Sequence, residues 1–162
     1  MRFLGIDPGL ERVGFGVIDK IGSKITLVDC GLILTPRIDL ALRLKQIHEE
    51  VQKIVEVHQP DVLAIEKLIF AANKTTAFDV SKAIGVILLA ACEMHLPWQE
   101  YTPAEIKLAV CGHGQADKKQ IQYMVCKLLS LKEAPKPDDV ADAVATAICS
   151  AFRSNTQALM KP

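Results

Sequence analysis

A change in hydrophobic periodicity near residue 35 constrains the fold more than any other feature of the sequence. Before it, apolar residues alternate with small or polar ones, a pattern typical of half-buried strands. We predict strands over 2–7, around 13–17 and over 24–34. The short intervals between them favour antiparallel hairpins. In the second strand, Gly14 and Gly16 lie on one face, which predicts that another element approaches the sheet closely there.

After this point the apolar residues follow a helical spacing. The stretch 40–54 carries an apolar stripe of this kind, and Pro60 ends the predicted helix. The apolar run 62–65, followed by Glu66, is typical of a strand buried on both faces. A helix followed by such a strand predicts a crossover to a parallel neighbour in the same sheet.

The rest of the chain alternates helical and extended patterns. We predict a helix over 75–95, a short strand over 97–101, and helices over 103–112, 118–129 and 138–152. Capping boxes begin two of these helices, one at Thr102 and one at Asp117. The order of elements predicts an α/β fold in which one mixed sheet carries helices on its faces. We expect residues 1–162 to form a single domain, because no linker divides them.

Composition excludes several classes of protein. Half of the residues are hydrophobic and 23% are charged, which excludes a disordered chain. The longest apolar stretch, 83–92, is too short to span a bilayer, and the N-terminus lacks the pattern of a signal peptide. The five cysteines form no C-x-x-C pair, which is typical of reduced thiols. We therefore expect a cytoplasmic protein with no membrane partner.

The distribution of charge limits how the protein can bind nucleic acid. Its 19 basic and 19 acidic residues give a net charge of zero, which argues against an extended basic surface. Residues 67–136 hold nine lysines and six acids, so a phosphate-binding patch would be local. Lys118 and Lys119 begin a predicted helix, where cations oppose the helix dipole but a bound phosphate is favoured. We interpret these lysines as phosphate contacts.

Four acidic residues occupy positions where an isolated carboxylate is costly. Asp7 and Glu66 each end a strand predicted to be buried, and Asp139 and Asp142 lie three residues apart on one helix. Converging carboxylates repel one another, and a divalent cation removes that conflict. Hard oxygen ligands suit Mg²⁺, and two such ions form the usual clamp for phosphodiester cleavage. The pattern therefore favours a metal-dependent site that acts on phosphodiesters.

Other interpretations of these acids stay open at this point. An Asp at a strand end is often a turn residue, and Asp138 or Asp139 could simply cap the last helix. The segment Asp7-Pro8-Gly9 is also similar to the phosphate-holding turn of actin-like ATPases. An ATPase or small kinase lobe is therefore an alternative, although such proteins need two lobes and 162 residues supply one.

Four segments together resemble a known family. They are Gly5-Ile6-Asp7-Pro8-Gly9, Ala64-Ile65-Glu66, residues 112–118 and Asp139-Val140-Ala141-Asp142-Ala143. In this order they are similar to the motifs of the bacterial RuvC Holliday-junction resolvases, and the resemblance covers nearly the whole chain. It implies an RNase H-like fold with a mixed five-stranded sheet flanked by helices. It also implies a Mg²⁺-dependent endonuclease that resolves four-way DNA junctions by paired symmetric nicks during recombination and repair.

The resemblance also implies roles for individual residues. The catalytic and metal-binding acids are Asp7, Glu66, Asp139 and Asp142. They would hold two Mg²⁺ per site, with Mn²⁺ as a substitute. The implied DNA-contacting lysines are Lys107 and Lys118, and we add Lys119 from its place beside Lys118. The implied partners are four-way junction DNA, a second copy of the chain and the RuvA–RuvB branch-migration complex.

The sequence departs from the family pattern in two places. Many members carry a base-stacking aromatic three residues after the catalytic Glu, where this chain has Ile69, and the aromatic Phe70 follows one place later. We count both among the candidate DNA contacts. Asp138 is an extra acid beside Asp139, and we interpret it as a helix N-cap. A junction-binding protein without activity is a further alternative, although the four acids are all present.

The helix over 75–95 predicts a homodimer. Its segment 83–92 has no polar face, so a sheet could cover only one of its sides. Large exposed apolar patches usually mark interaction surfaces. Two symmetric cuts also need two active sites, which an isologous two-fold interface supplies. We expect Leu88 or Leu89, whichever faces outward, to lie in this interface.

Overall fold

A computed structural model describes the backbone of residues 1–69 and 74–159 and the side chains of residues 1–69 and 77–154. The strands are β1 Arg2–Asp7, β2 Arg12–Ile21, β3 Lys24–Leu34, β4 Val62–Glu66 and β5 Trp98–Tyr101. The helices are α1 Leu40–His58, α2 Lys74–Glu93, α3 Pro103–Cys111, α4 Lys118–Leu129 and α5 Asp138–Leu159. The predicted order of elements is confirmed. The last helix extends beyond the expected end at residue 152. The prediction depended on the apolar stripe, and that stripe stops before the helix does.

The five strands form one mixed sheet in the order β3-β2-β1-β4-β5. The two predicted hairpins are confirmed, since β1 pairs with β2 and β2 pairs with β3 in antiparallel fashion. The crossover through α1 is confirmed too, because β4 lies parallel to β1 on its other side. Strand β5 extends the sheet parallel to β4. These pairings make β1 the central strand and agree with the expected mixed α/β architecture.

Each face of the sheet carries its own hydrophobic core. Strand β1 shows the division, because Leu4 and Ile6 contribute to one core and Phe3 to the other. Helices α1 and α2 cover the first face with buried residues such as Ile47 and Ile87. Helices α3, α4 and α5 cover the second face, and Ile148 of α5 is fully buried there. The sheet is therefore buried on both sides at its centre.

Helix α5 rests directly on glycines of the sheet. A Cβ atom placed on Gly5 would lie 2.1 Å from the carbonyl oxygen of Ala143. One placed on Gly16 would lie 2.5 Å from a methyl group of Val144. Such distances leave no room for a side chain, so the close approach predicted from Gly14 and Gly16 is confirmed. The glycines thus fix the height and position of α5 on the sheet.

The capping boxes predicted at Thr102 and Asp117 are present, and each begins its helix with reciprocal side-chain and backbone hydrogen bonds. The cysteines of the described residues are all free. Among the helices in the described ranges, none combines the length and apolar character that crossing a membrane requires.

Candidate active site

Two of the predicted acids end neighbouring parallel strands. In the pairing of β1 with β4, Ile6 lies opposite Ile65, and Asp7 and Glu66 follow as the last residues of their strands. Side chains alternate between the faces of a sheet, so Asp7 lies on the same face as Gly5, against which α5 packs. The two acids therefore meet at one edge of the sheet, which is the edge formed by the carboxyl ends of β1 and β4.

The other two acids reach the same edge through the docking of α5. Gly14 lies opposite Asp7 in the pairing of β1 with β2. A Cβ atom on Gly14 would stand 2.1 Å from the carbonyl oxygen of Asp139, so α5 begins directly above this pair. Asp142 follows Asp139 by about one helical turn and lies partly buried on the same helix. The fold thus brings all four predicted acids together.

Burial and mutual repulsion raise the pKa values of these acids. The pKa of Asp7 is raised to about 8, chiefly by burial and then by the charges of Glu66, Asp142 and Asp139. The pKa of Glu66 is raised to about 6 by burial and by Asp142. Burial also raises the pKa of Asp142, against the opposing charge of Lys118. A cluster of this kind stores electrostatic repulsion that a cation would relieve.

Two basic side chains stand among the acids. The Nζ atom of Lys118 lies 3.9 Å from Asp142 Oδ2 and 3.6 Å from Asp138 Oδ2. On the other side of α5, Arg12 Nη2 lies 3.1 Å from Asp139 Oδ2. Even so, Asp139 Oδ2 is buried and accepts no hydrogen bond. The pairing with Arg12 therefore satisfies its charge and leaves its hydrogen-bonding capacity unused.

The donor set fits a divalent metal ion that keeps part of its water shell. Within the described ranges, no group of three or more Asp, Glu, His or Cys side chains is already arranged as a metal cage. The four acids nonetheless supply hard carboxylate oxygens, and the buried Oδ2 of Asp139, which accepts no hydrogen bond, is a candidate ligand that Arg12 Nη2 faces at 3.1 Å. Mg²⁺ suits such a site, because it binds through few carboxylates and retains several waters.

The predicted lysines divide into two groups. Lys107 and Lys118 line a cleft of about 170 Å³ together with Glu66 and Asp142, so both reach the acids. Lys119 lines a different cleft, with Tyr123 among its neighbours. Consecutive helical residues point about 100° apart, which is why Lys119 does not share the cleft of Lys118. The DNA contact expected of Lys119 stays a prediction.

Three further positions complete the comparison with the sequence. Ile69 follows β4 and is exposed. Phe70 lies outside the described residues. Asp138 is not the expected N-cap: it lies within the first turn of α5, where its carboxylate accepts a hydrogen bond from Gln122 Nε2 at 3.0 Å. The helix already begins at Asp138, so this residue is the first helical position and not the cap before it.

Sequence reasoning missed Arg12. The feature that could have pointed to Arg12 is its position at the start of β2, two residues before Gly14 and on the same face of the strand. Once α5 is known to begin above Gly14, that face directs Arg12 toward the start of α5. The sequence alone did not say which end of α5 would lie there.

A mixed five-stranded sheet with acids on its central strand, on the neighbouring strand β4 and on a helix laid across them is typical of the RNase H-like nucleases. The family model of "Crossover junction endodeoxyribonuclease RuvC" matches residues 3–150 of the chain. This protein therefore belongs to the RuvC family of crossover junction endodeoxyribonucleases. The expected fold class, family and type of enzyme are confirmed.

Individual members of the family match this chain along nearly its full length. The chain is 55% identical to RuvC of Brevibacillus brevis over 156 residues, which cover 95% of this chain and 94% of that protein. It is 48% identical to RuvC of Halothermothrix orenii, with 96% of each chain covered. The solved structure of "T. thermophilus RuvC in complex with Holliday junction substrate" superposes with a TM-score of 0.92 at 35% identity, covering 97% of this chain and 96% of that one.

Proposed function

We propose that this member of the RuvC family resolves four-way DNA junctions with Asp7, Glu66, Asp139 and Asp142 as its catalytic, metal-binding acids. The observation that carries the assignment is the convergence of these carboxylates at one sheet edge, where the pKa of Asp7 rises to about 8. A stable fold avoids such a cluster unless a cation or a reaction uses it. RuvC of Thermus thermophilus was solved with a Holliday junction, which supports the same substrate here.

The acids bind the metal ions, and the lysines bind the DNA. When bound, divalent cations supply activation of water and stabilise the charge that develops on the cleaved phosphodiester. The charges of all three other acids raise the pKa of Asp7, so it is the residue placed to serve more than one ion. Lys107 and Lys118 line the cleft beside Glu66 and Asp142 and would hold the DNA backbone there.

We infer that the metal is Mg²⁺, with two ions per site and Mn²⁺ as a substitute. The support is chemical: the candidate ligands are carboxylates, which are hard donors suited to both ions. The family relationship supports a metal-dependent nuclease and does not identify the ion.

The working unit is proposed to be a homodimer. On α2, Ala83 and Ile87 are fully buried, whereas Leu89 is 51% exposed and Gly85 faces open space. The helix therefore presents an apolar face that the rest of the described chain does not cover. A two-fold contact through this face would give two active sites for two symmetric nicks. We also propose that residues 1–162 act as one nuclease domain.

We further propose that the protein works in the cytoplasm with a RuvA–RuvB branch-migration complex. Membership of the RuvC family supports this partnership. The free cysteines fit a reducing compartment.

Cleavage of a synthetic four-way junction beside linear duplex of the same sequence tests the proposal. Mg²⁺-dependent paired nicks in the junction support a resolvase. Binding without nicking would support the inactive junction binder, and ATP turnover without DNA would support the actin-like alternative.

A further inference from the structure

Arg12 occupies a position from which it can serve either an acid or a phosphate. It begins β2 next to the start of α5, and its Nη2 lies 3.1 Å from the buried Oδ2 of Asp139. The Arg12 side chain is 55% exposed, whereas that of Asp139 is only 23% exposed. The guanidinium is thus at the surface and can leave the pair without opening the core.

The side chain of Arg12 opens onto a cleft beside the acids. This cleft has a volume of about 600 Å³ and lies between the start of β2, helix α4 and the segment 134–137. Its charged lining consists of two cations, Arg12 and Lys136, and two acids, Asp138 and Asp139. The charges of this lining therefore sum to zero while Asp139 is ionised and holds no metal ion.

Loading of the site with a divalent cation would change this balance. Asp138 is engaged by Gln122 at 3.0 Å and by Lys118 at 3.6 Å, so it is not a partner for Arg12. Lys136 is more than 80% exposed, and its Nζ lies 4.0 Å from Glu133, which is exposed to the same degree. Once a metal ion takes the charge of Asp139, Arg12 and Lys136 make the cleft cationic.

We propose that Arg12 binds a backbone phosphate of the substrate in this cleft, and that metal binding at Asp139 releases it to do so. The inference rests on the proposed function, because it assumes DNA at the four acids. A guanidinium matches two phosphate oxygens at once, which suits it to a backbone contact next to the site of cleavage. Arg12 would thereby couple metal binding to DNA binding.

The salt dependence of junction binding tests this proposal. Ca²⁺ replaces Mg²⁺ so that binding is measured apart from cleavage, and a gel verifies that the junction stays intact. Log affinity falls as log salt rises. With Ca²⁺, R12A should make this fall shallower by about 0.9 in slope, the value of one phosphate contact. In EDTA, R12A and the parent chain should give equal slopes, because Asp139 then holds Arg12.

Two variants control for charge and for folding. Arg37 is 85% exposed, pairs with Glu11 and lies outside the cleft lining. R37A should therefore match the parent slope with Ca²⁺. R12K keeps a point charge without the planar fork, so it should retain most of the slope but bind the junction more weakly than the parent. Thermal unfolding of each variant verifies that the fold is intact.

Direct titration of Mg²⁺ into the DNA-free protein gives a second readout. Removal of Arg12 removes a competitor for Asp139, so R12A should bind Mg²⁺ up to about fivefold more tightly, the scale of a part-exposed ion pair. Unchanged or weaker Mg²⁺ binding by R12A would overturn the proposed release.

The remaining outcomes separate this inference from the proposed function. An R12A slope equal to that of the parent with Ca²⁺, or an equal loss in R37A, would overturn the phosphate contact while junction cleavage by the parent stands. A parent chain without affinity for four-way junctions would overturn the proposed function, and this inference with it.

Discussion

The backbone of Asp139 rests on Gly14, and a Cβ atom at residue 14 would stand 2.1 Å from the Asp139 carbonyl oxygen. Gly14 is in turn the antiparallel partner of Asp7. One glycine thus sets the separation between Asp7 of the central strand and Asp139 of α5. The geometry of the site depends on this absent side chain as much as on the carboxylates.

Gly14→Ala should displace the start of α5. The new methyl group would meet backbone atoms that cannot rotate away, so we expect a loss of about 1–3 kcal/mol in the free energy of unfolding and a fall in junction cleavage. Denaturant unfolding measures the first and a nicking assay the second. Gly114→Ala is the matched control, since its Cβ would lie 3.5 Å from the nearest atom and should change stability little. A G14A protein as stable and active as the parent would contradict the role of the glycine.

The stability of the metal-free protein should fall as the pH rises. The pKa of Asp7 is about 8 in the folded chain, against 3.8 for an unperturbed Asp. Between these values the folded state holds a proton that the unfolded state has released, so unfolding becomes easier with increasing pH. Glu66, with a pKa of about 6, adds to the slope at the acidic end of this window.

Thermal unfolding in EDTA from pH 5 to pH 8.5 measures this slope. Asp7→Asn should flatten it, because the amide does not titrate. Mg²⁺ should raise the melting temperature more at pH 8 than at pH 5, since it binds deprotonated carboxylates. A D7N protein with the same pH slope as the parent would contradict the assignment of the shift to Asp7.

Much of the site could be predicted because its determinants are local. Asp7 and Glu66 end apolar runs, and those runs alone indicate buried strands. The paired glycines of β2 indicated a close neighbour, and the structure shows that this neighbour is the helix that carries Asp139 and Asp142. The register that places Gly14 opposite Asp7 then follows from the first hairpin.

The remaining features depend on contacts between distant segments. Arg12 could be assigned only after the start of α5 was located over β2. Asp138 is a residue type that commonly caps helices, but here it is the first residue of α5 and its carboxylate accepts a hydrogen bond from Gln122 of α4. Lys118 and Lys119 are neighbours in sequence, but helical geometry directs their side chains about 100° apart, so they line different clefts.

Lys118→Ala should weaken junction binding and make it less sensitive to salt. Lys118 lines the cleft beside Glu66 and Asp142, and loss of one phosphate contact lowers the log–log slope by about 0.9. Binding titrations over a range of NaCl concentrations measure it. Lys132→Ala is the control, because this exposed lysine lies in the turn after α4 and lines none of the clefts described above. Equal effects of the two substitutions would mean that no local patch exists.

Leu89→Asp should convert the proposed dimer into a monomer. Leu89 is 51% exposed on the apolar face of α2. At a two-fold interface each copy would contribute one Asp, so the substitution would bury two charges. Sedimentation at micromolar concentration gives the oligomeric state. Val57→Asp, on a valine of α1 that is 73% exposed, should leave the dimer intact. A monodisperse monomer for the unmodified chain would contradict the dimer.

The central claim is that four converging carboxylates cut the junction, and cleavage by charge-deleting isosteres tests it most directly. Asp7→Asn and Glu66→Gln keep the shape of the side chain and remove its charge. With Mg²⁺ and a synthetic four-way junction, each should lower the nicking rate by about a hundredfold or more, the scale of losing one preorganised charge-stabilising group. Junction binding should stay close to that of the parent, and Asp138→Asn, one residue from the cluster, should retain most of the cleavage. Nicking by D7N or E66Q at near the parental rate would contradict the assigned site.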